Sequence, residues 1–260
     1  MAYTLSPWRL IKIHGRDPLA LLHGQTTVDV KGLGEGVGVP GALCTPKGRM
    51  VANFGMALHD GAAWISLPED RIDPLHEALA KFLPFFGCQL DVTEWQGLGD
   101  RQPIDAPIQM DIGGLYEGWA PEDQTGDAGW AALRIEQALG WVDQHSHEAF
   151  TPQQLHLQTL NGISFTKGCY TGQEVIARTE HLGAVKKSLI PVTLSTETEI
   201  CDLFVESRKV GRLINVSGTQ GLAVIAADTG SCQTESGAQA IPGALPYPII
   251  SPIKSWRNQS

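Results

Sequence analysis

The hydrophobic pattern of this 260-residue chain changes at Lys187, and that change constrains the fold more than any other feature. Strand-like and helix-like segments alternate up to that point. Beyond it, short apolar runs are separated by Gly, Ser and Thr, and no convincing helix follows. Ser188–Leu194, Lys209–Val216 and Gly221–Ala227 read as strands, which suits a small antiparallel barrel over 188–260. Upstream, Trp8–Ile13 reads as a strand. Asp17 and Pro18 open a helix as N-cap and first residue, ending at Gly24. Arg49–Leu58 and Ala63–Leu67 read as a hairpin around Asp60-Gly61. Asp73-Pro74 starts a helix with Leu75, Ala78, Leu79 and Phe82 on one face, and Cys88–Thr93 is the strand after it. This β-β-α-β order predicts half of a ferredoxin-like unit. Further helices are expected at Ala131–Leu139, ending at Gly140, and after Thr151-Pro152-x-Gln154, ending at Asn161-Gly162.

The richest chemistry lies in Gly162–Gly183, GISFTKGCYTGQEVIARTEHLG. Thr171 and Glu174 have capping-box spacing, so Thr171 is the expected N-cap of a helix whose apolar stripe is Val175, Ile176, Thr179 and Leu182. Gly183 is the expected C-terminal stop. Glu174 and Arg178 are four apart and can pair on the exposed face. Cys169 then stands two residues before the N-cap and close to Lys167. A helix N-terminus and a nearby cation both favour thiolate over thiol. Gly168 and Gly172 open the backbone to a ligand's approach.

Composition narrows the classes. No run of ~18 apolar residues is present, and the N-terminus has no basic segment followed by an apolar one, so neither a membrane span nor a signal peptide is expected. The five cysteines (44, 88, 169, 201 and 232) have no C-x-x-C spacing and fit a reducing cytoplasm. Cys88, Cys201 and Cys232 read as small buried hydrophobes, and Cys44 as a weaker candidate for a second thiol. The eight histidines have no H-E-x-x-H or similar spacing, so no stable metal site is predicted. Gly32–Gly41 has five glycines but no G-K-[ST] ending, so it is not a phosphate loop. The net charge is −9. Nine acids against one base put −8 of it in residues 91–129, expected to be a solvated, loop-rich surface. This balance argues against tight direct binding of tRNA, although the four bases and two acids of 164–187 leave a local basic face for an acidic ligand tail.

KGCYTGQE, followed by A-R and L-G-A, resembles the signature of the YgfZ-type folate-binding proteins, relatives of the glycine-cleavage T-protein, an aminomethyltransferase. Trp8–Gly15 with Leu22-x-Gly-Gln-x-Thr-x-Asp-Val30 resembles that family's opening strand and helix, and Cys44-Thr-Pro-Lys-Gly-Arg-Met50 its C-x-x-K-G-[KR]-M turn. Trp130–Glu136, Phe150-Thr-Pro-Gln, Asn161-Gly-Ile-Ser-Phe165 and Leu245-Pro-Tyr247 match further blocks. The likeness covers most of the chain, weakening over 91–129 and after Lys187. It implies an α+β, aminomethyltransferase-like folate-binding fold. Residues 1–187 would be a discontinuous folate-binding region, with about 46–129 as a reduced ferredoxin-like subdomain, and 188–260 a C-terminal β-barrel. Between Val92 and Trp130 the chain is much shorter than longer relatives, so any partner surface carried there is in doubt.

The resemblance also implies roles. Trp8 and Trp130 match tryptophans associated with folate binding, where an indole stacks on a pterin or benzoyl ring; as large aromatics they could equally anchor the core. Lys167, Tyr170, Gln173 and Glu174 are candidates for the floor or rim of that pocket, and Arg178 for pairing with a folate glutamate. Tyr170 could instead be packing, and Arg178 could simply pair with Glu174. Cys169 is the candidate functional thiol. The function implied is a cytoplasmic tetrahydrofolate-binding accessory protein that supports iron–sulfur cluster assembly or repair and, through iron–sulfur enzymes or assembly proteins as transient partners, tRNA modification. Two alternatives are weighed beside it. A folate-dependent aminomethyltransferase would need an acid beside the folate, and Asp70 and Asp73 lie in roughly the right region but in unmatched sequence. A thiol-redox or scaffold protein would bind no folate.

Overall fold

The computed structural model describes residues 1–182 and 185–249. In chain order, β1 (Tyr3–Thr4) and β2 (Trp8–Gly15) lead into α1 (Pro18–Gln25), β3 (Val39–Cys44), β4 (Met50–His59) and β5 (Ala62–Pro68). Helices α2 (Ile72–Leu79) and α3 (Leu83–Phe86) precede β6 (Cys88–Val92), β7 (Gln96–Asp100), β8 (Ile108–Asp111) and β9 (Tyr116–Ala120). Then come α4 (Trp130–Glu136) and α5 (Gln173–Leu182), followed by β10 (Ser188–Leu194), β11 (Asp202–Val205), β12 (Arg208–Ser217), β13 (Gln220–Ile225), β14 (Cys232–Thr234) and β15 (Gln239–Pro242). No helix among the described residues is long and apolar enough to cross a membrane.

Three sheets result. An antiparallel five-stranded sheet runs β3-β4-β5-β2-β6, and a four-stranded one β1-β7-β9-β8. Strands β10-β13-β12-β11-β14-β15 close into an antiparallel barrel filled by Val192, Leu203, Leu213, Ala223, Ile225 and Ala240. The β4-β5-α2-β6 order anticipated from the sequence is present, and its sheet is completed by β2 and β3 from outside residues 46–129. The turn between β4 and β5 has Asp60 and Gly61 at φ 51° and 67°, the paired positive angles of a tight hairpin. Strand β4 is buried at every position from Met50 to Ala57, because it is covered on both faces. One face packs with α1 and α2, where Leu21, Leu22, Leu75 and Leu79 are fully buried at ~2 kcal/mol each. On the other face, β8 of the second sheet comes so close that a Cβ at Gly55 would lie 2.8 Å from the Met110 sulfur.

Local signals hold at several element ends. Asp17 accepts the Ala20 N–H at 3.0 Å and Pro18 is the first residue of α1, a cap worth ~1 kcal/mol. Two expectations need correction. The acidic stretch 91–129 carries three strands, β7 to β9, and one of its acids, Glu117, is buried rather than solvated. The capping box Thr151/Gln154 forms as expected, yet it starts only a short 3-10 turn, Pro152–Leu155, instead of a helix reaching Asn161. His156 takes the left-handed conformation (φ 60°) and closes the turn through its N–H to the Gln153 and Pro152 carbonyls, which ends helical propagation.

His156 is buried against Tyr247, the residue that brings the chain back from the barrel. Its Nδ1 lies 3.4 Å from the Tyr247 hydroxyl, which donates to the Ala138 carbonyl at 2.8 Å. Burial lowers its pKa to about 4, so the folded protein holds it neutral where the unfolded chain would protonate it. That stabilisation is complete above pH 6.5 and is lost as pH falls from there to about 4. Urea unfolding is therefore expected to show stability falling by up to ~3 kcal/mol over that interval. His156→Asn, which tolerates the left-handed backbone, should flatten this dependence.

Candidate functional site

The residues singled out by sequence separate into two places. Trp8, at the start of β2, and Trp130, at the start of α4, come together around Arg134 in the body of the molecule, beside a small cavity that Trp8 lines and Trp130 does not. The KGCYTGQE residues lie at the C-terminal end of α1 and against the β3–β4 turn, and none of them lines that cavity.

The central place is built around a cation. Arg134 follows Trp130 by one helical turn and so shares its face of α4. Its guanidinium carbon lies 5.3 Å from the Trp8 ring, 5.9 Å from Trp130 and 5.7 Å from Trp141. Trp8 and Trp141 meet edge to face at 5.3 Å. Arg134 faces Glu117 of β9, with Nη1 3.6 Å from Oε1, and Trp119 Nε1 donates to the other carboxylate oxygen at 3.3 Å. Burial lowers the Arg134 pKa to about 10 against the opposing pull of Glu117, and raises that of Glu117 against the pull of Arg134. Small residues admit the indoles: any side chain at Gly99 would collide with Trp130, and a Cβ at Gly97 would sit 2.7 Å from Trp119.

The cavity is lined by Trp8, Asn53, Ser66, Arg134, Gly140 and Leu157, among others, and encloses about 20 Å³, room for one water. Nε of Arg134, on its wall, lacks a hydrogen-bond partner, while the Ser66 hydroxyl beside it is turned to the Glu117 carboxylate and favours its charged form. The Trp130 indole N–H is also buried without a partner. Such atoms are costly to leave unpaired. Pro40 and Leu160 line both this cavity and a groove of about 440 Å³ between the β3 approach, the Gly113-Gly114 turn and Tyr247. Arg134, Glu117, Ser66 and Trp141 were not anticipated. The one signal for Arg134 was a charge standing between Leu133 and Ile135; Glu117 was hidden among nine acids.

At the second place Lys167 is turned inward. Its ammonium donates to the carbonyls of His23 at 2.5 Å, Thr26 at 2.6 Å and Val28 at 2.7 Å, and lies 4.6 Å from the Tyr170 ring centre. All three N–H groups are spent on the last carbonyls of α1 and the residues just beyond, where the helix dipole favours a cation. Burial lowers its pKa to about 8, with Asp29 opposing. Tyr170 is buried in a cluster with Cys44, Met50 and Ile176, and burial raises the pKa of its hydroxyl and of the Cys44 thiol. Gly172 (φ 85°) and Gly48 (φ 69°) bring the two turns into contact: a Cβ on Gly172 would lie 2.6 Å from the Thr45 carbonyl, and one on Gly48 3.0 Å from Val175.

The expected capping box does not form. Helix α5 starts at Gln173 with Gly172 before it, and the Ile176 N–H reaches the Gly172 carbonyl at 3.2 Å. Thr171 instead donates to Gln25 at 2.8 Å, because docking onto α1 takes its hydroxyl, while Gln173 accepts the Tyr170 N–H at 3.3 Å. Glu174 and Arg178 are exposed, and among the described residues no ion pair joins them. The Gly183 stop lies outside the described residues. Cys169 is a free, exposed thiol. Cys88 and Cys232 are buried, and Cys201 is half-buried.

No family model matches the sequence. It is 32% identical over 231 residues to the tRNA-modifying protein YgfZ of Hamiltonella defensa subsp. Acyrthosiphon pisum, covering 73% of this chain and 68% of that one. The YgfZ of Cronobacter sakazakii is 32% identical over 228 residues (72% and 69%), and an uncharacterized protein of Haemophilus influenzae 30% over 244 (85% and 87%). The glycine cleavage system aminomethyltransferase T of Bartonella henselae superposes with a TM-score of 0.68 at 12% identity, covering 94% of this chain and 85% of that one. The fold is thus aminomethyltransferase-like, with a closed six-stranded antiparallel barrel at its C-terminal end.

Lys167 and Arg178 should differ sharply in stability measurements. Lys167→Met strips the cation from three carbonyls, two of its hydrogen bonds being fully buried, and is expected to cost ~3 kcal/mol in urea unfolding. Arg178→Ala, at an exposed position, is expected to stay within ~0.5 kcal/mol of wild type.

Proposed function

The chain belongs to the family of the tRNA-modifying protein YgfZ, and on that premise we propose that it is a folate-binding accessory protein supporting iron–sulfur enzymes, including those that modify tRNA. The observation that carries the folate half is Arg134. It is buried beneath three indoles, and its Nε is unpaired on the cavity wall. A pterin ring answers each of those features, being flat, apolar on its faces and polar along its edge. Arg134 and Ser66, on the cavity wall, would serve its acceptors and Trp8 one of its faces, with Glu117 and Trp130 supporting Arg134 from behind. Bound tetrahydrofolate would supply nitrogens able to carry a one-carbon unit. The cavity is smaller than such a ring, so binding requires Leu160 and Pro40 to yield towards the larger groove. We assign this ligand region to residues 1–187 and treat 188–260 as the barrel that packs on it.

Cys169 is the key thiol of the proposal. Its exposure makes it available to another protein, and a lone thiolate does not hold a cluster, which as a rule takes four ligands. The cluster it serves would therefore be a partner's. Lys167, Tyr170 and Gln173 support the loop that presents Cys169 rather than touching the folate, and exposed Glu174 and Arg178 remain for partner contact. The transferase alternative gains nothing from Asp70, whose carboxylate accepts the Gln144 N–H at 2.7 Å and lies 3.4 Å from Arg71 Nε.

Tetrahydrofolate titration followed by tryptophan fluorescence is expected to be saturable in the wild type and weakened at least about tenfold in Trp8→Leu and Arg134→Gln, a loss of ~1.4 kcal/mol or more. Absence of binding by the wild type would leave the redox or scaffold reading. Cys169→Ala is expected to bind tetrahydrofolate as the wild type does, yet to fail in restoring iron–sulfur enzyme activity to a strain lacking the protein. Full restoration by that variant would remove the thiol from the mechanism.

A further inference from the structure

We propose that the C-terminal barrel controls the ligand cavity through Asn215, a positioning residue that holds Trp141 in place as the third wall of the aromatic box around Arg134. The inference rests on the cavity being the folate site, and it adds to that reading the residue by which a separate sheet governs the site.

Asn215 is fully buried in β12, and both ends of its amide are spent on one residue. Its Oδ1 accepts the Trp141 N–H at 3.0 Å and its Nδ2 donates to the Trp141 carbonyl at 3.1 Å. The side chain thereby imitates a neighbouring strand for a segment that belongs to none. The β12–β13 register shifts between Leu213 and Asn215, and an irregularity of this kind re-aims side chains. The approach leaves no space beside it: a Cβ at Gly140 would lie 3.1 Å from Leu189 and 3.4 Å from Asn215 Oδ1. Asn53 of β4 grips the flanking residues from the opposite side, donating to the Gly140 carbonyl at 2.9 Å and accepting the Val142 N–H at 2.8 Å. Trp141 therefore has a fixed backbone on both sides. Its indole meets Trp8 at 5.3 Å and Arg134 at 5.7 Å, and Gly140 and Asn53 line the cavity itself. Neither Asn215, the rest of β12 nor Trp141 itself lines that cavity, so the influence of Asn215 passes through Trp141 to Trp8 and Arg134, which do.

The test combines a ligand-free readout with a mutant cycle. In near-UV circular dichroism, Trp141→Phe defines the band that arises from the Trp8–Trp141 pair, and Asn215→Ala is expected to remove the same band while far-UV ellipticity is kept. In tetrahydrofolate titration, Asn215→Ala is expected to weaken binding about tenfold in the wild-type background and less than about twofold in the Trp141→Phe background. Retention of the band in Asn215→Ala, or an equal loss of affinity in both backgrounds, would overturn the proposal. Should Asn215→Ala not fold, Asn215→Ser, which keeps one hydrogen-bonding oxygen, is measured by the same two readouts. If the wild type binds no tetrahydrofolate, the folate reading fails by itself and the dichroism band still decides whether Asn215 positions Trp141.

Discussion

Two asparagines gripping one short stretch of backbone tie the five-stranded sheet to the barrel beside the cavity. Residues 140–142 belong to no strand, yet their N–H and C=O groups are buried and need partners. Asn53 from the five-stranded sheet and Asn215 from the barrel supply four hydrogen bonds of 2.8–3.1 Å between them. A buried amide has few alternatives to such a pairing, and loss of one partner strands the other at ~1–3 kcal/mol. The segment follows α4 directly, so it also fixes where Trp130 and Arg134 stand relative to Trp141.

The arginine in that box is expensive, and its surroundings offset the cost only in part. Glu117 is at 3.6 Å, a loose ion pair, and burial pushes both groups towards their neutral forms. Three indole faces supply electrostatic attraction where water is excluded. Nε still lacks a partner. A chain selected for stability alone would place an apolar residue here, as it does at neighbouring Leu133 and Ile135. Lys167 provides the contrast: it is also a buried cation, but each of its donors has a carbonyl. One cation is satisfied by the fold, and the other is left with capacity to spare.

What the sequence made legible follows the range of the interactions involved. The α1 cap, the Asp60-Gly61 turn and strand β10 depend on neighbours in sequence, and they emerge where local chemistry puts them. Strands β11, β14 and β15 have four, three and four residues and gain their identity only from barrel pairing, so no local pattern announced them. The Thr171 cap failed for the same reason, since docking onto Gln25 outbid the local capping bond. Trp8 and Trp130 stood out through a family likeness, and the structure brings both rings against Arg134. Glu117 and Asn215 did not stand out, because a buried carboxylate and a bulge-aimed amide look like surface residues until tertiary contacts are known.

The division of the signature from the cavity carries a mechanical consequence. Leu160 lines both cavity and groove, and nine residues later the same stretch presents Cys169. Between them the chain is pinned twice. Thr27 donates to the Gly162 carbonyl at 2.6 Å and, by accepting the Ala42 N–H at 2.9 Å, ties that point to β3. Lys167 then anchors the loop to the end of α1. Each of these bonds is buried and therefore costly to break. The thiol and the cavity thus share one polypeptide segment, with two buried anchor points between them.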